Sequence, residues 1–464
     1  MNDEERFQRE VRATLHDLAR EPAPDRLVAH VSEIPSREPS AWTTGIRQRV
    51  SSRSIGSVFG LLAAGVAIVA LAILVRPGAT GPSVGATATP PGSQTTAPAS
   101  AASPAPTASS AAVATATPKS PKPQGSAVPA GFEPVSATFI SSADGWVLGS
   151  VACQGARCPA IVRTTDGGST WSSIPAPRTT LGAQGDLTGN GISAVRFANA
   201  SDGWAFGPEL WATHDGGATW ARVRMGGLPA GATVAALEAA RGAVHAVAYD
   251  GSQAGGQGFR IATSVIGADD WRTASVQIPV GAGPVPAIQL VLAGTSGWVL
   301  ENDRTVVGGA RLVAGTWQSW NPPCLAVVGP AILAASSPTN LIAACDVGLW
   351  STPQGEHLYV SNDGGATFST VGGRMPINSA AAVATPDGST IVVAGSKASG
   401  EALVTSFDGG RTWPSTLNAG MVQISQLGFT TRTQGLLITS DSSSGAGTML
   451  MTRDGGLTWT RVTF

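Results

Sequence analysis

Ionisable side chains are scarce in this chain. Only 13% of the 464 residues are charged, and 29 basic residues stand against 30 acidic ones. Because there is no basic excess to neutralise phosphates, we do not expect nucleic acid as a partner. Four cysteines are too few for a disulfide-dense miniprotein, and five scattered histidines offer no zinc cluster. The sequence therefore predicts neither a metal site nor a cofactor.

One long apolar run divides the chain into two parts. Residues 55–75 contain no charge, and at about 1.5 Å per residue they match the thickness of a bilayer core. Arg47, Arg49 and Arg53 precede the run, whereas only Arg76 follows it closely. The positive-inside rule therefore predicts an uncleaved transmembrane helix, with the N-terminus in the cytoplasm and the remainder extracytoplasmic. The alternative is a cleaved signal peptide, but the run is longer than a typical signal core and begins late.

The segment before this run, residues 1–54, is predicted to be cytoplasmic and to contain one short amphipathic helix. Phe7, Val11, Leu15 and Leu18 recur at steps of three and four, which gives such a helix an apolar stripe. The segment is too small to bury a core alone. It is either a solvated tail or a docking segment that resembles those of bacterial anti-sigma-factor-like membrane proteins.

The segment after the run differs sharply in composition. Residues 76–130 consist mainly of Ala, Pro, Ser and Thr and contain no aromatic residue. Such a segment cannot bury enough apolar surface to fold, so it is predicted to be a disordered linker. Its prolines favour extended conformations that suit a spacer.

An eight-residue motif, here called a box, recurs in the C-terminal part. Five copies follow the pattern (Ser/Thr)-x-Asp-Gly-Gly-x-Thr-(Trp/Phe), and two eroded copies complete a series of seven repeats about 48 residues apart. A turn and a short apolar run precede the boxes, as in Asp144-Gly145-Trp146. Four short strands per repeat are typical of a propeller blade, so residues 131–464 are predicted to form an all-β, seven-bladed β-propeller. The full copies end at Trp171, Trp220, Phe368, Trp413 and Trp459, and the eroded copies end at Trp271 and Trp317.

The motif resembles the Asp-box, or BNR repeat, of bacterial sialidases, xyloglucanases, the sortilin ectodomain and photosystem II assembly and stability factors. The combination of turn and box is most similar to the last group, over about 72% of the chain. The resemblance implies a propeller with the boxes on its outer rim, away from the ligand. We expect each box aspartate to be structural, because its carboxylate can accept N–H groups of its own turn while the glycines supply positive φ. These aspartates are Asp166, Asp215, Asp363, Asp408 and Asp454.

Candidate binding residues lie in loops between the second and third strands of the blades. Such loops gather on one face of a propeller, where a rigid scaffold positions them. Their mixed charge suits a protein or a cell-surface glycan as partner, whereas the alternative is that they are ordinary solvated turns. The candidates are Tyr249, Asp250, Arg260, Glu301, Asp303, Arg304, Arg311 and Glu356.

The alternative function is a glycoside hydrolase. A sialidase uses a tyrosine nucleophile, but the chain has only two tyrosines, and Phe259-Arg260-Ile261 lacks the proline of the similar family motif. In a xyloglucanase-like enzyme Asp250, Glu301 or Asp303 would supply the two carboxylates, yet such enzymes usually have longer, two-propeller chains. We therefore assign no catalytic residue and predict a binding module that acts as an assembly factor or a surface sensor.

The four cysteines form two pairs with local spacing. Outside the membrane, an even number of cysteines at such spacing predicts the disulfides Cys153–Cys158 and Cys324–Cys345. The alternative is free buried thiols. No further ligands for zinc lie near either pair.

Overall fold

The computed structural model describes residues 125–464, apart from residues 155, 188, 252–257, 282–286, 304, 326–328, 347–355, 373–374, 398–399 and 421. The predicted cytoplasmic segment, transmembrane helix and most of the predicted linker lie outside the described residues. Within the part described, no helix is long and apolar enough to cross a bilayer.

The described chain forms seven sheets of four antiparallel strands, and strands that are neighbours in a sheet are consecutive in the sequence. The predicted all-β, seven-bladed β-propeller is confirmed, with one sheet per blade. Blade 1 contains β1 (Glu133–Phe139), β2 (Gly145–Cys153), β3 (Ala156–Thr164) and β4 (Ser172–Ile174); blade 2 contains β5 (Ala194–Phe197), β6 (Gly203–Phe206), β7 (Leu210–Thr213) and β8 (Ala221–Arg222); blade 3 contains β9 (Thr233–Ala240), β10 (Ala243–Asp250), β11 (Gly258–Val265) and β12 (Arg272–Pro279).

The remaining four blades have the same order. Blade 4 contains β13 (Ala287–Ala293), β14 (Ser296–Asp303), β15 (Thr305–Val313) and β16 (Thr316–Trp320); blade 5 contains β17 (Ala331–Ala335), β18 (Leu341–Asp346), β19 (Glu356–Ser361) and β20 (Ser369–Thr370); blade 6 contains β21 (Ser379–Ala384), β22 (Ile391–Lys397), β23 (Gly400–Ser406) and β24 (Ser415–Gly420); blade 7 contains β25 (Val422–Phe429), β26 (Gly435–Asp441), β27 (Gly447–Thr452) and β28 (Thr460–Arg461).

The first strand of each blade lines the centre of the ring. Strands β1, β5, β9, β13, β17, β21 and β25 contact one another in a closed circle. Since the strands of a blade alternate in direction, the turns after first and third strands lie on one face of the ring. We call this the box face, because the boxes are the turns after third strands. The turns after second strands and the connections between blades lie on the opposite face, which we call the loop face.

The hydrophobic core is divided among the seams between blades. Each blade is covered on both sides by its neighbours, so most of its second strand is buried, as in the Ile-Val-Val-Ala-Gly start of β22. Seven apolar clusters result, one in each seam, and each cluster includes the terminal aromatic residue of one box: Trp171, Trp220, Trp271, Trp317, Phe368, Trp413 and Trp459.

The ring closes between blades 7 and 1 without exchange of a strand, because the first and last strands each stay within their own blade. The Gln426 side chain in β25 accepts the N–H of Ala137 in β1 at 2.9 Å and donates to its carbonyl at 2.7 Å. Phe464 packs against Phe132 and Trp171, with ring centroids 4.9 and 5.1 Å apart. Closure therefore depends on side chains.

Candidate functional site

The box aspartates are held by donors of their own turns. In the box of blade 6, Asp408 Oδ1 accepts the N–H groups of Arg411 and Thr412 at 3.0 and 2.9 Å, and Oδ2 accepts the Thr412 hydroxyl at 2.6 Å. The side-chain hydrogen bond from the threonine is the main reason that the pKa of Asp408 is lowered to about 2. Asp166, Asp215, Asp363 and Asp454 accept the same threonine donors, Thr170, Thr219, Thr367 and Thr458.

The two eroded boxes make different contacts. In blade 3, Asp269 (φ 48°) accepts from Trp204 of blade 2 at 3.4 Å. In blade 4 a two-residue turn, Ala314-Gly315, joins the strands, and Trp317 Nε1 donates to Nδ1 of His245 in blade 3 at 3.2 Å. Each eroded box therefore holds its own blade to the preceding one.

The loop-face candidates in blade 3 contact one another. Tyr249 packs against Phe259, with ring centroids 5.6 Å apart. Asp250 is buried, and its Oδ2 lies 3.8 Å from Nε of Arg260. This carboxylate is therefore turned toward a cation of its own blade.

The candidates in blades 4 and 5 are more scattered. Glu301 is fully buried, and its Oε1 accepts the Gly281 N–H across the seam between blades 3 and 4 at 3.3 Å. Arg311 pairs with Trp298 near the box-face end of β15, so the structure does not bring it to the loop face. Asp303 ends β14 and Glu356 begins β19, both at the loop face, whereas Arg304 lies outside the described residues.

Both cysteine pairs are joined in the structure. Cys153 and Cys158 close the turn after β2 with Cα atoms 5.9 Å apart. Cys324, after β16, is joined to Cys345 in β18, also with Cα atoms 5.9 Å apart. The described residues contain no cluster of three or more side chains suited to a metal ion.

The connection between blades 1 and 2, residues 175–193, crosses the loop-face mouth of the central channel; we call it the strap. Gln184 Nε2 donates to the Ser425 carbonyl of blade 7 at 3.2 Å, and the Leu187 carbonyl accepts from Thr233 of blade 3 at 2.9 Å. Because these anchors lie on different blades, the strap covers the mouth.

Glu209 fixes the base of the strap. Its carboxylate accepts from the Thr179 hydroxyl at 2.8 Å and from Trp211 Nε1 at 2.9 Å, and it lies 3.2 Å from the Arg222 guanidinium. Burial alone would raise the pKa of Glu209, but the hydrogen bonds from Trp211 and Thr179 and the charge of Arg222 together lower it.

The channel beneath the strap has a volume of about 560 Å³ and is lined by the first strands. Its walls are mainly Ala, Val, Leu and Ile, and an ion pair between Arg196 Nε and Glu238 Oε1 spans blades 2 and 3 at 2.7 Å. Because Glu238 neutralises Arg196, the channel carries no unbalanced charge at this point.

At the box face the channel opens into a mouth of about 380 Å³. Arg241 and Arg432 lie on its rim, together with hydroxyl groups of serine and threonine, and no acidic residue lines it. A cleft of about 910 Å³ between blades 5 and 6 adjoins the mouth and shares Ser336, Ser337 and Pro386 as well as Arg432 with it. Mouth and cleft thus form one polar trough, from the centre of the ring to its rim.

The box face also presents apolar side chains to solvent. Six large apolar residues of the described part are exposed, and four of them end third strands or lie in boxes, which places them on this face. A combination of exposed apolar side chains, arginine and a polar rim is typical of protein interfaces. The four residues are Val265, Val313, Phe407 and Leu457.

Several solved structures are similar to this chain at low sequence identity. No protein-family model matches the chain, and no curated protein matches it. A structure described as YCF48 bound to D1 peptide is 17% identical, with a TM-score of 0.45, over 72% of this chain and 97% of that one. YCF48 from Cyanidioschyzon merolae is 15% identical, with a TM-score of 0.47, over 70% and 97% of the two chains. The GH74 enzyme of Niastella koreensis is 16% identical, with a TM-score of 0.38, over 71% and 65%.

Identities and TM-scores this low carry no inference about the function of this chain. The strap and the trough were not anticipated from the sequence. The long interval between the first box and the next strand was the only signal for the strap. The trough joins turns of blades 3 to 7, which no local motif can reveal.

Proposed function

We propose that this chain is a membrane-anchored, extracytoplasmic propeller that binds a partner protein through its box face. The observation that carries the proposal is the polar trough, which is continuous from the channel mouth to the rim. The face that contains it also exposes apolar side chains. A trough of this kind can take an extended segment of a partner through hydrogen bonds to its main chain.

The charge of the mouth favours an acidic part of the partner. Arg241 and Arg432 are exposed there, and neither takes part in an ion pair found among the described residues. Arginine is also the cation best suited to carboxylate recognition, because its guanidinium donates in a planar fork.

The loop face offers less support for binding in its described part. The strap covers the channel mouth there, and the carboxylates of Asp250 and Glu301 are buried and engaged. We therefore place the partner on the face opposite to the one that the loop lengths predicted.

Membrane attachment is part of the proposal and rests on the apolar run 55–75 and its flanking arginines. Protease added to intact spheroplasts should digest residues after the run and spare residues 1–54. Protection of the propeller would contradict the proposed location.

The binding surface is tested with the full chain in its own membranes. A double variant, Arg241→Glu with Arg432→Glu, should lose at least about 90% of crosslinked partner, since two attractive charges become repulsive. A matched control, Arg178→Glu with Arg224→Glu, changes charge equally on exposed loop-face connections and should retain the partner.

The reverse pattern, loss in the control and retention in the test variant, would place binding on the loop face. Recovery of a glycan in place of a protein would contradict the partner class. Turnover of a glycoside that disappears in Asp250→Asn or Glu301→Gln would support the hydrolase instead.

A further inference from the structure

His214 connects blades 2 and 3 through both of its ring nitrogens. Nδ1 lies 2.7 Å from Oδ1 of Asp202, in the turn after the first strand of blade 2. Nε2 lies 3.0 Å from Oδ2 of Asp269, in the eroded box of blade 3. The histidine itself is the second residue of the intact box of blade 2. Its contact with Asp202 therefore lies within blade 2, and its contact with Asp269 crosses the seam to blade 3 on the box face.

This geometry requires a proton. A neutral imidazole has one N–H group, so only the imidazolium can donate to both carboxylates. In the neutral form one ring nitrogen would direct a lone pair at a carboxylate oxygen about 3 Å away, which is repulsive. Burial alone would lower the pKa of His214, but the hydrogen bonds and charges of Asp202 and Asp269 outweigh it and raise the pKa.

The carboxylates near this contact already have other hydrogen-bond or ion-pair partners. Asp202 Oδ2 accepts from Asn199 at 2.7 Å, and Asp269 Oδ1 accepts from Trp204. Asp215, the next residue along, is saturated by its box, and Asp270 is paired with the highly exposed Arg272 at 3.0 Å. Arg241, on the first turn of blade 3, enters no ion pair found among the described residues.

We propose that His214 is a proton-dependent clamp that holds the box-face end of the seam between blades 2 and 3. When it is protonated, the seam is closed; when the proton leaves, this end of the seam loosens and the turns that carry Asp202 and Asp269 separate more often. The contact would let the propeller respond to the pH of the extracytoplasmic space. The clamp is independent of the partner proposed above.

The direction with pH follows from the raised pKa. A histidine whose pKa is higher in the folded state contributes stability that is complete below its unfolded pKa of about 6.5. That contribution is lost as the pH rises through the folded pKa. The clamp is therefore complete below about pH 6.5 and is released as the pH rises through the raised pKa.

The test is hydrogen exchange of the full-length protein in detergent, corrected for the intrinsic effect of pH. Peptides covering residues 198–204 and 262–271 should exchange more readily at pH 8.5 than at pH 6, by about tenfold for each unit by which the pKa is raised. His214→Gln cannot be charged and should remove this pH dependence. His357→Gln, an exposed histidine of blade 5, is the matched control and should preserve it.

A second variant separates the clamp from a merely structural contact. In Asp269→Asn the amide can donate to a neutral Nε2, so the seam no longer needs the proton. At pH 8.5 these peptides should then exchange less than in the wild type. If the wild type and His214→Gln show equal pH dependence, or if Asp269→Asn loosens the seam equally at all pH values, the proposal is wrong.

Discussion

The boxes show how one motif can be constant in chemistry and variable in use. The aspartate and threonine form the same hydrogen bonds in all five full copies, whereas the second position differs from blade to blade. In blade 2 this position is His214, which contacts Asp269 of blade 3. In blade 7 it is Arg453, which donates to the Gly167 carbonyl of blade 1. In these two blades the variable residue therefore joins the box to the next blade at the box face.

Replacing a box aspartate should affect stability and leave binding intact. Asp166, whose box lies away from the trough, accepts from four donors, the hydroxyls of Thr164 and Thr170 and the N–H groups of Ser169 and Thr170. Asp166→Ala removes this acceptor and should lower the melting temperature by a few degrees. Asp166→Asn should lower it less, because the amide oxygen can still accept the two N–H groups. Differential scanning calorimetry checks this, with Asp270→Ala as the control. Loss of the partner at an unchanged melting temperature would show that the residue binds it.

His245 predicts a pH dependence opposite to that of His214. Burial lowers the pKa of His245 to about 4, below the unfolded value of about 6.5. Stability is therefore present above pH 6.5 and is lost as the pH falls toward 4, by up to about 3 kcal/mol. In urea titrations His245→Asn should be less stable at neutral pH and should lose less stability between pH 6.5 and 4. An unchanged acid response would place the titrating group elsewhere.

At the scale of elements, the strands were predictable and the strap was not. Each blade combines a turn, a buried second strand and a box. Each of these has a local sequence signal: glycines at positive φ mark the turn and the box, and an apolar run marks the strand. The strap has no such pattern, and it is ordered by groups of distant blades, such as Ser425 and Thr233. Hydrogen bonds to distant blades cannot be predicted from the spacing of residues in the sequence.

The strap depends on one carboxylate. Glu209→Ala should cost about 2 kcal/mol, because the indole N–H of Trp211 and the Thr179 hydroxyl lose a charged acceptor. It should also make residues 175–193 easier to cleave under native conditions. Arg222→Ala leaves both hydrogen bonds in place and serves as the control. Equal cleavage of the variant and the wild type would mean that the other anchors are sufficient.

The same limit applies to the candidate site. Tyr249 and Asp250 end β10 and Arg260 lies near the start of β11, so these residues flank the turn after a second strand. Loop length in the sequence indicates turns of this kind. Whether a side chain faces outward depends on contacts across a seam, as with Glu301 and Gly281. The sequence therefore predicted where the loops lie, but it did not predict which of their side chains are exposed.

At the scale of the whole molecule, the ring has seven seams but only six are crossed by the chain within the propeller. The seam between blades 7 and 1 has no such connection and no shared strand. Gln426 bridges it by two hydrogen bonds to Ala137, and Gln289 makes the same pair of bonds to Leu333 across the seam between blades 4 and 5. The two glutamines are chemically equivalent and differ in what else holds their seams.

This difference predicts unequal consequences for two matched substitutions. Gln289→Ala and Gln426→Ala each remove two hydrogen bonds and should each cost about 1–3 kcal/mol at equilibrium. Only Gln426→Ala weakens the seam at which the ring can open without breaking a sheet or moving a connection. It should therefore raise the unfolding rate more, as measured by the decay of tryptophan fluorescence after a jump into denaturant. Equal rates would mean that the apolar cluster around Trp171 and Phe464 is what keeps the ring closed.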